Sequence, residues 1–591
     1  MKAKIMMVTA LCLVLLSGCD RHSQPIASIP TGELPVLPEQ TGDVPAGDYV
    51  GRITDDPFSN RDYKTDYDPA EAVKITLNGS SIAAGSGVSV SGTTATVTEE
   101  GTYVISGTLS DGMIIVDVDK KDKVQLVLSG ASIHSNTCAP IYVRQADKVF
   151  ITTAEGSENT LSNGGSFTPM DGNDIDSVIF SKEDLTLNGA GTLTVCSPGG
   201  HGIVSKDELT VTSGVYQITA GSHGLVGKDN VCVDGADITV SSGKDGIRTN
   251  NEDDASLGFV YIKSGSFGIN CGGDGISASC WLQIDGGSCS ILCGGGSANG
   301  EQHAAQNYGP GRPGMGGRPG QQSSQSAAAD TASAKAIKAS GDLVINGGVF
   351  SLDCADDAIH GNSNVYITSG SFLIATGDDG IHADEALTVS GGSVRISESY
   401  EGFEALCVTV SGGEHTMTCR DDGINAAGGT DGSGMGGFRP GGDRFGGNAD
   451  SFITVSGGRL YIHASGDGID SNGYLTISGG HTTVCGPTQG DTAVLDFSIS
   501  GKITGGTFIG TGSDRMAQTF TTSENQGVIA LNVGKQPAGT PVTLADAQGN
   551  ILIDVTPEES FTITILSCPQ MQKGESYTVT VGTRTDTFVA S

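Results

Sequence analysis

From Ala355 onward one short pattern occurs three times: ADDAIHGNSNVYITSGSFLIAT, then GDDGIHADEALTVSGGSVRISES, then YEGFEALCVTVSGG. Each copy sets acidic residues before an Ile or Phe, a polar residue after it, an alternating apolar strand, a Gly turn and a second strand. The anchoring apolar position recurs at Ile179, Ile203, Leu225, Ile247, Ile276, Ile337, Ile359, Ile381, Phe403, Ile424, Ile469 and Val494. Most steps are near 22 residues, and two, of 61 and 45, carry insertions. This period is too short for a propeller blade and lacks the leucines and Asn of a leucine-rich repeat. It suits one coil of a parallel β-helix, in which three short strands and their turns make a rung that hydrogen-bonds to the next. Neighbouring strands lie about 4.7–4.9 Å apart, so a residue type that returns with every coil becomes a ladder.

Composition agrees with an elongated all-β body rather than a large aromatic core, since Gly is 90 of 591 residues and aromatics are 5%. Glycine without a three-residue period is not collagen. A net charge of −35 excludes nucleic acid as a partner, because phosphate binding needs the opposite sign. It points to cations or to a solvated surface.

The chain divides by pattern. Lys2 and Lys4, the apolar run Ile5–Leu16 and Leu16-Ser17-Gly18-Cys19 resemble a bacterial lipoprotein signal, with residues 1–18 removed and Cys19 lipidated. The expected location is outside the cytoplasm, lipid-anchored at a membrane or cell surface. Residues 19–69, with scattered Pro and Gly, read as a flexible tether. Residues 70–526 read as the helix and 527–591 as a C-terminal β cap, since terminal repeats need a different outer face. Two segments, 294–335 and 428–450, are Gly-, Pro-, Gln- and Ser-rich and read as disordered insertions. Cys271, Cys354 and Cys419 each precede the Asp of a turn by three residues, with Cys196, Cys293 and Cys485 after second strands. A column of small interior residues explains them better than disulfides.

Three columns carry the chemistry. Asp356 and Asp357, Asp378 and Asp379, Glu401, and Asp421 and Asp422 fall at equivalent turns of four consecutive coils. Carboxylates that close repel one another. Either they form Asx turns and face water, or a hard divalent ion such as Ca2+, which takes six to eight oxygens, resolves the conflict. Directly after the core position come Arg248, Ser277, Lys338, His360, His382, Glu404, Asn425 and Asp470, and three residues after it Lys182, Lys206 and Lys228. The lysines either neutralise Glu183, Asp184, Asp207, Glu208 and Asp229 or meet the carboxylates of a polyanion.

GTYVISGTL, IFSKEDLTLNGAGTL and the repeated Asp-Gly-Ile turns resemble a bacterial family of carbohydrate-binding domains, over roughly residues 70–590. The resemblance implies a right-handed parallel β-helix of the pectate-lyase kind that binds Ca2+ and acidic plant-type polysaccharide (polygalacturonate, with cellulose as a further ligand) without catalysis. The expected chain is a monomeric surface binder, with Asp356, Asp357, Asp378, Asp379, Glu401, Asp421 and Asp422 on metal. Lys182, Lys206, Lys228, Arg248, Lys338, His360 and His382 are expected on carbohydrate. The alternatives are a pectate lyase, with Arg248, Lys338 or Lys228 as base, and a surface structural or adhesive protein. A hydrolase is disfavoured, because its His motif, GHGI at 200–203, precedes its Asp motif, GDGID at 466–470.

Overall fold

The structure, a computed structural model, describes residues 32–38, 46–300, 333–427, 448–487 and 492–591. One coil consists of the strands Ile337–Ala339, Leu343–Ile345 and Val349–Cys354. Each pairs in parallel with its counterpart on the next coil, Ile359–Gly361, Asn364–Ile367 and Ser371–Thr376. Three parallel sheets thus wrap one interior, as expected for a parallel β-helix.

The sheet of short strands keeps one register from Ile141 through Ile179, Ile203, Leu225, Ile247, Ile276, Ile337, Ile359, Ile381, Phe403, Ile424 and Ile469. Its last member is Leu495, not Val494. Two adjacent apolar residues made that step ambiguous by one, and only strand pairing separates them. The register also runs through both insertions: Ile276 pairs with Ile337, and Ile424 with Ile469. The first insertion leads into this sheet at Ile337–Ala339, and the second leaves it after Ile424–Ala426.

Identical side chains stack inside. Phe350 and Phe372 lie 4.6 Å apart at 5°, and fully burying such a side chain stabilises the fold by about 1.5–3 kcal/mol. Cys271, Cys293 and Cys354 occupy one interior column as free, buried thiols. Between the second and third strands, Gly348, Gly370, Gly392 and Gly413 have φ of +114°, +115°, +86° and +87°. A Cβ there is strained, so this turn writes a glycine into every coil.

Both ends depart from the parallel pattern. Val73–Gly79 and Val88–Ser91 pair antiparallel with Ile82–Ala84 and Thr94–Val97. At the other end Phe561–Ser567 adds antiparallel to Ser500–Gly512, and Val542–Ala545, Ile551–Val555, Ser576–Val581 and Arg584–Val589 form a separate antiparallel sheet.

Part of the expected tether is ordered. Asp62 is 1% exposed and accepts from Thr186 Oγ1 at 2.6 Å, with Lys148 Nζ 3.0 Å away. Tyr63 donates to Asp234, the Val50 N–H to Asn346, and Phe58 is buried beside Tyr261. These partners lie on or beside the second sheet, which residues 46–66 therefore strap. The sequence of this segment hid the contacts, because they are made by single side chains without periodicity. Residues 1–18 and Cys19, with the lipidation expected there, lie outside the described residues, as do 301–332 and 428–447 of the insertions.

Candidate functional site

With the second sheet strapped, the short-strand sheet offers the longest stack of polar side chains. Two residues before each core position its turn carries His201, His223, Asp245, Asp274, Lys335, Asp357, Asp379, Glu401, Asp422 and Asp467 in register. Most of these side chains play the same structural role, in which each accepts the backbone N–H of its counterpart one coil on. Asp245 accepts from Asp274 at 3.0 Å, Asp274 from Lys335 at 2.9 Å, Asp357 from Asp379 at 3.0 Å, Asp379 from Glu401 at 3.2 Å and Asp422 from Asp467 at 2.5 Å. His201 and His223 accept the N–H of the next coil through Nδ1. A buried amide left unpaired costs about as much as a lost hydrogen bond, which explains a carboxylate at this turn before any ligand is invoked.

The remaining oxygens face the column just after the core position. In the N-terminal part of the stack every acid meets a cation: Asp245 meets Arg248 at 3.3 Å and Asp274 meets Lys338 at 3.8 Å. Lys335, 4% exposed, places its ammonium 2.6 Å from Asp356 and 2.8 Å from Asp357. Asp357 also holds His360 Nδ1 at 2.7 Å. Burial alone raises a carboxyl pKa, but here Lys335 and His360 overcome it and hold Asp357 well below the usual range. Burial works against the Lys335 ammonium too, and the two aspartates outweigh it.

Lys335 brings one positive charge to Asp356 and Asp357, whose oxygens also lie, with one of Asp378, within 4.8 Å of one another. Two other expectations are corrected. Lys335, assigned by its neighbours' composition to the 294–335 insertion, is a buried member of the column; aligning the core position across the insertion would have revealed it. His360 and His382 are 2% and 1% exposed, which removes them from the surface a sugar can touch. Their place just after the core position suggested exposure, but His360 is packed against Asp357 and His382, and His382 against Asp379, Asp384 and Glu404.

From Glu401 onward the cations stop. Among the described residues Glu401, Asp421, Asp422, Asp467, Asp470 and Asp496 have no ion-pair partner. Burial, then Glu404 and Asp422, push the Glu401 carboxyl well up, and burial with Asp467 and Asp421 does the same to Asp422. Asp467 is pushed up to about 7 and Asp470 to about 6, chiefly by burial, with Asp470 and Asp496 respectively as the nearest raising charges. Single oxygens of Asp422, Asp467 and Asp470 lie within 4.8 Å of one another. Beside them, Asn425 Nδ2 donates to Glu401 Oε1, leaving Glu401 Oε2 and Asn425 Oδ1 buried without a donor. Two orphaned acceptors next to three converging carboxylates fit a hard cation that takes oxygen only.

The lysines form a strip at the other end. Backbone N–H groups of Lys182, Lys206 and Lys228 donate to Val143, Ser181 and Ser205, which fixes them on successive coils. Lys182 and Lys206 are exposed and Lys228 is half-buried. Their acidic neighbours engage them only loosely: Lys206 is 4.0 Å from Asp176 and Lys228 is 3.9 Å from Asp229. Arg248 lies outside this column, paired in register with Val226 and tied to Asp245.

Part of this chain matches known proteins. Residues 91–380 match the family described as carbohydrate-binding domain-containing protein. A protein of that description from Acetivibrio thermocellus is 37% identical over 137 residues, 23% of this chain and 48% of the relative, so the match spans about half of that relative's length. A solved polysaccharide lyase-like protein from C. thermocellum is 32% identical, with a TM-score of 0.36, covering 38% of this chain and 92% of that one. The resemblance read from the repeated turns is thus borne out, and over residues 91–380, which hold the lysine strip and the cation-served acids, the chain matches the carbohydrate-binding domain-containing family.

Proposed function

We propose that this protein is an exported, lipid-anchored, non-catalytic binder of acidic polysaccharide, with polygalacturonate as ligand and calcium as its metal. The family match supports polysaccharide binding in general. The observation that carries the acidic specificity is the strip Lys182, Lys206 and Lys228, in which cations repeat at the spacing of the coils and are only loosely engaged by their own acids. A linear polyanion running along the helix axis meets one after another. Calcium is assigned to Asp422, Asp467 and Asp470 with the free oxygens of Glu401 and Asn425. Asp421 stands beside this run, while Asp378 lies with Asp356 and Asp357 near Lys335. Bound there, calcium would supply positive charge to the acid-rich end of the same face.

Incubating the purified protein with insoluble polygalacturonate and CaCl2 tests this directly. Retention on the polymer without unsaturated uronides or new reducing ends is expected. New ultraviolet absorbance from unsaturated uronides would replace the binder with a lyase. Retention of cells or proteins with no glycan preference would replace it with an adhesin.

A further inference from the structure

His382 sits where three carboxylates meet. Its Nδ1 lies 2.6 Å from Glu404 Oε2 and 3.4 Å from Asp379 Oδ2, and its Nε2 lies 3.2 Å from Asp384 Oδ1. Each ring nitrogen carries at most one proton, so Nδ1 faces one more carboxylate than it can serve. The ring of His360 stacks on that of His382 at 4.7 Å and 8°. Two parallel, buried imidazoles in contact disfavour a charge on both. Asp384 accepts from Nε2–H, so a metal that displaces the Nδ1 proton finds the imidazole already oriented towards Asp379 and Glu404. A carboxylate behind an imidazole in this way is how proteins orient a histidine that binds metal.

We propose that His382 Nδ1, Asp379 and Glu404 form a site for a borderline divalent metal ion of the zinc class, with Asp384 as the positioning residue behind it. One ligand atom from each of the three lies within 4.8 Å of the others. Zinc takes nitrogen and carboxylate oxygen at about 2.0–2.2 Å, which places ligand atoms of a tetrahedral ion about 3.3 Å apart; the contacts of 2.6 and 3.4 Å bracket this. His360 Nδ1 is engaged by Asp357, so water completes the coordination. Lys335 serves Asp357, and the carboxylates left to share the single His382 Nδ1 are Asp379 and Glu404. Imidazole among the ligands selects against calcium, which takes oxygen alone. The site uses none of Asp422, Asp467 and Asp470 and stands whether or not the protein binds polysaccharide.

The test uses the full chain stripped with a chelator and titrated with ZnCl2 in excess CaCl2 by calorimetry, with CoCl2 as a visible-absorption probe of tetrahedral geometry. Wild type is expected to bind ~1 equivalent that calcium does not displace. His382→Gln and Glu404→Gln are expected to abolish it, Asp384→Asn to weaken it by about 10–100-fold, and Asp467→Asn with Asp470→Asn to leave it unchanged. A melting curve for each variant checks the fold, and should His382→Gln fail to fold, the half-buried Glu404→Gln and Asp384→Asn decide. No zinc binding in excess calcium, or equal affinity in Glu404→Gln, overturns the proposal.

Discussion

Two stretches of one column, Asp245 to Asp357 and Glu401 to Asp467, occupy the same turn and differ in what stands opposite them. In the first, Arg248, Lys338, Lys335 and His360 meet the acids. In the second, the equivalent places hold Glu404, Asn425 and Asp470; Glu404 is taken up by His382 of the coil before, and Glu401, Asp422 and Asp467 face acid or amide. Capping the next coil's amide needs a carboxylate in both, so that role does not distinguish them. The counter-charge does. The first stretch is complete within its own chain, and the second needs either protons or a metal. The family match ends at residue 380, so the second lies beyond the matched segment.

The largest effect is expected from breaking the first stretch. Lys335→Ala leaves Asp356 and the buried Asp357 without their ammonium, and removing one partner of a buried pair costs about 3–5 kcal/mol. A denaturant titration should show this loss, and a change below about 1 kcal/mol would show that His360 alone suffices.

Calcium sharpens the comparison from the other side. A ligand bound only by the folded protein stabilises it by about 2.7 kcal/mol at one hundred times Kd. Chelated protein should therefore melt higher when CaCl2 is restored, and Asp467→Asn with Asp470→Asn should abolish the response. If Asp378→Ala with Asp379→Ala abolishes it instead, calcium sits one stretch earlier than proposed.

Without metal, pH replaces calcium. Asp467 and Asp470 keep their protons to about 7 and about 6, above the ordinary carboxylate value near 3.9. Folding then favours the protonated form, so their contribution is full below pH ~4 and is lost as pH rises through 6 to 7. The melting temperature of chelated wild type should fall by a few degrees over that range relative to the Asn double variant. Equal slopes would mean that neither acid is strained.

The smallest effect on stability, and the clearest on binding, belongs to the lysine strip. Changing Lys182, Lys206 and Lys228 to Gln should alter stability by no more than about 0–1 kcal/mol per residue. Polygalacturonate binding should weaken and lose salt dependence, since exposed charges are screened over about 8–10 Å. Unchanged affinity at two salt concentrations would leave these lysines as partners of their own acids.

The coil itself is legible in the residues alone. Its 22-residue period, the stacked isoleucines and the turn glycines report local geometry, and local geometry repeats wherever the same dihedrals and the same interior column are needed. Even the candidate columns followed from it, because equal spacing on a β-helix means equal position. What each column meets emerged only once the coils were stacked. Lys335 belongs to the acids although its sequence neighbours belong to an insertion, Asp62 is buried by a strap with no periodicity, and His360 and His382 are packed against each other and against Asp357, Asp379, Asp384 and Glu404. Those contacts join residues on different coils or different segments, and electrostatics depends on such distances and on burial, neither of which a repeat records.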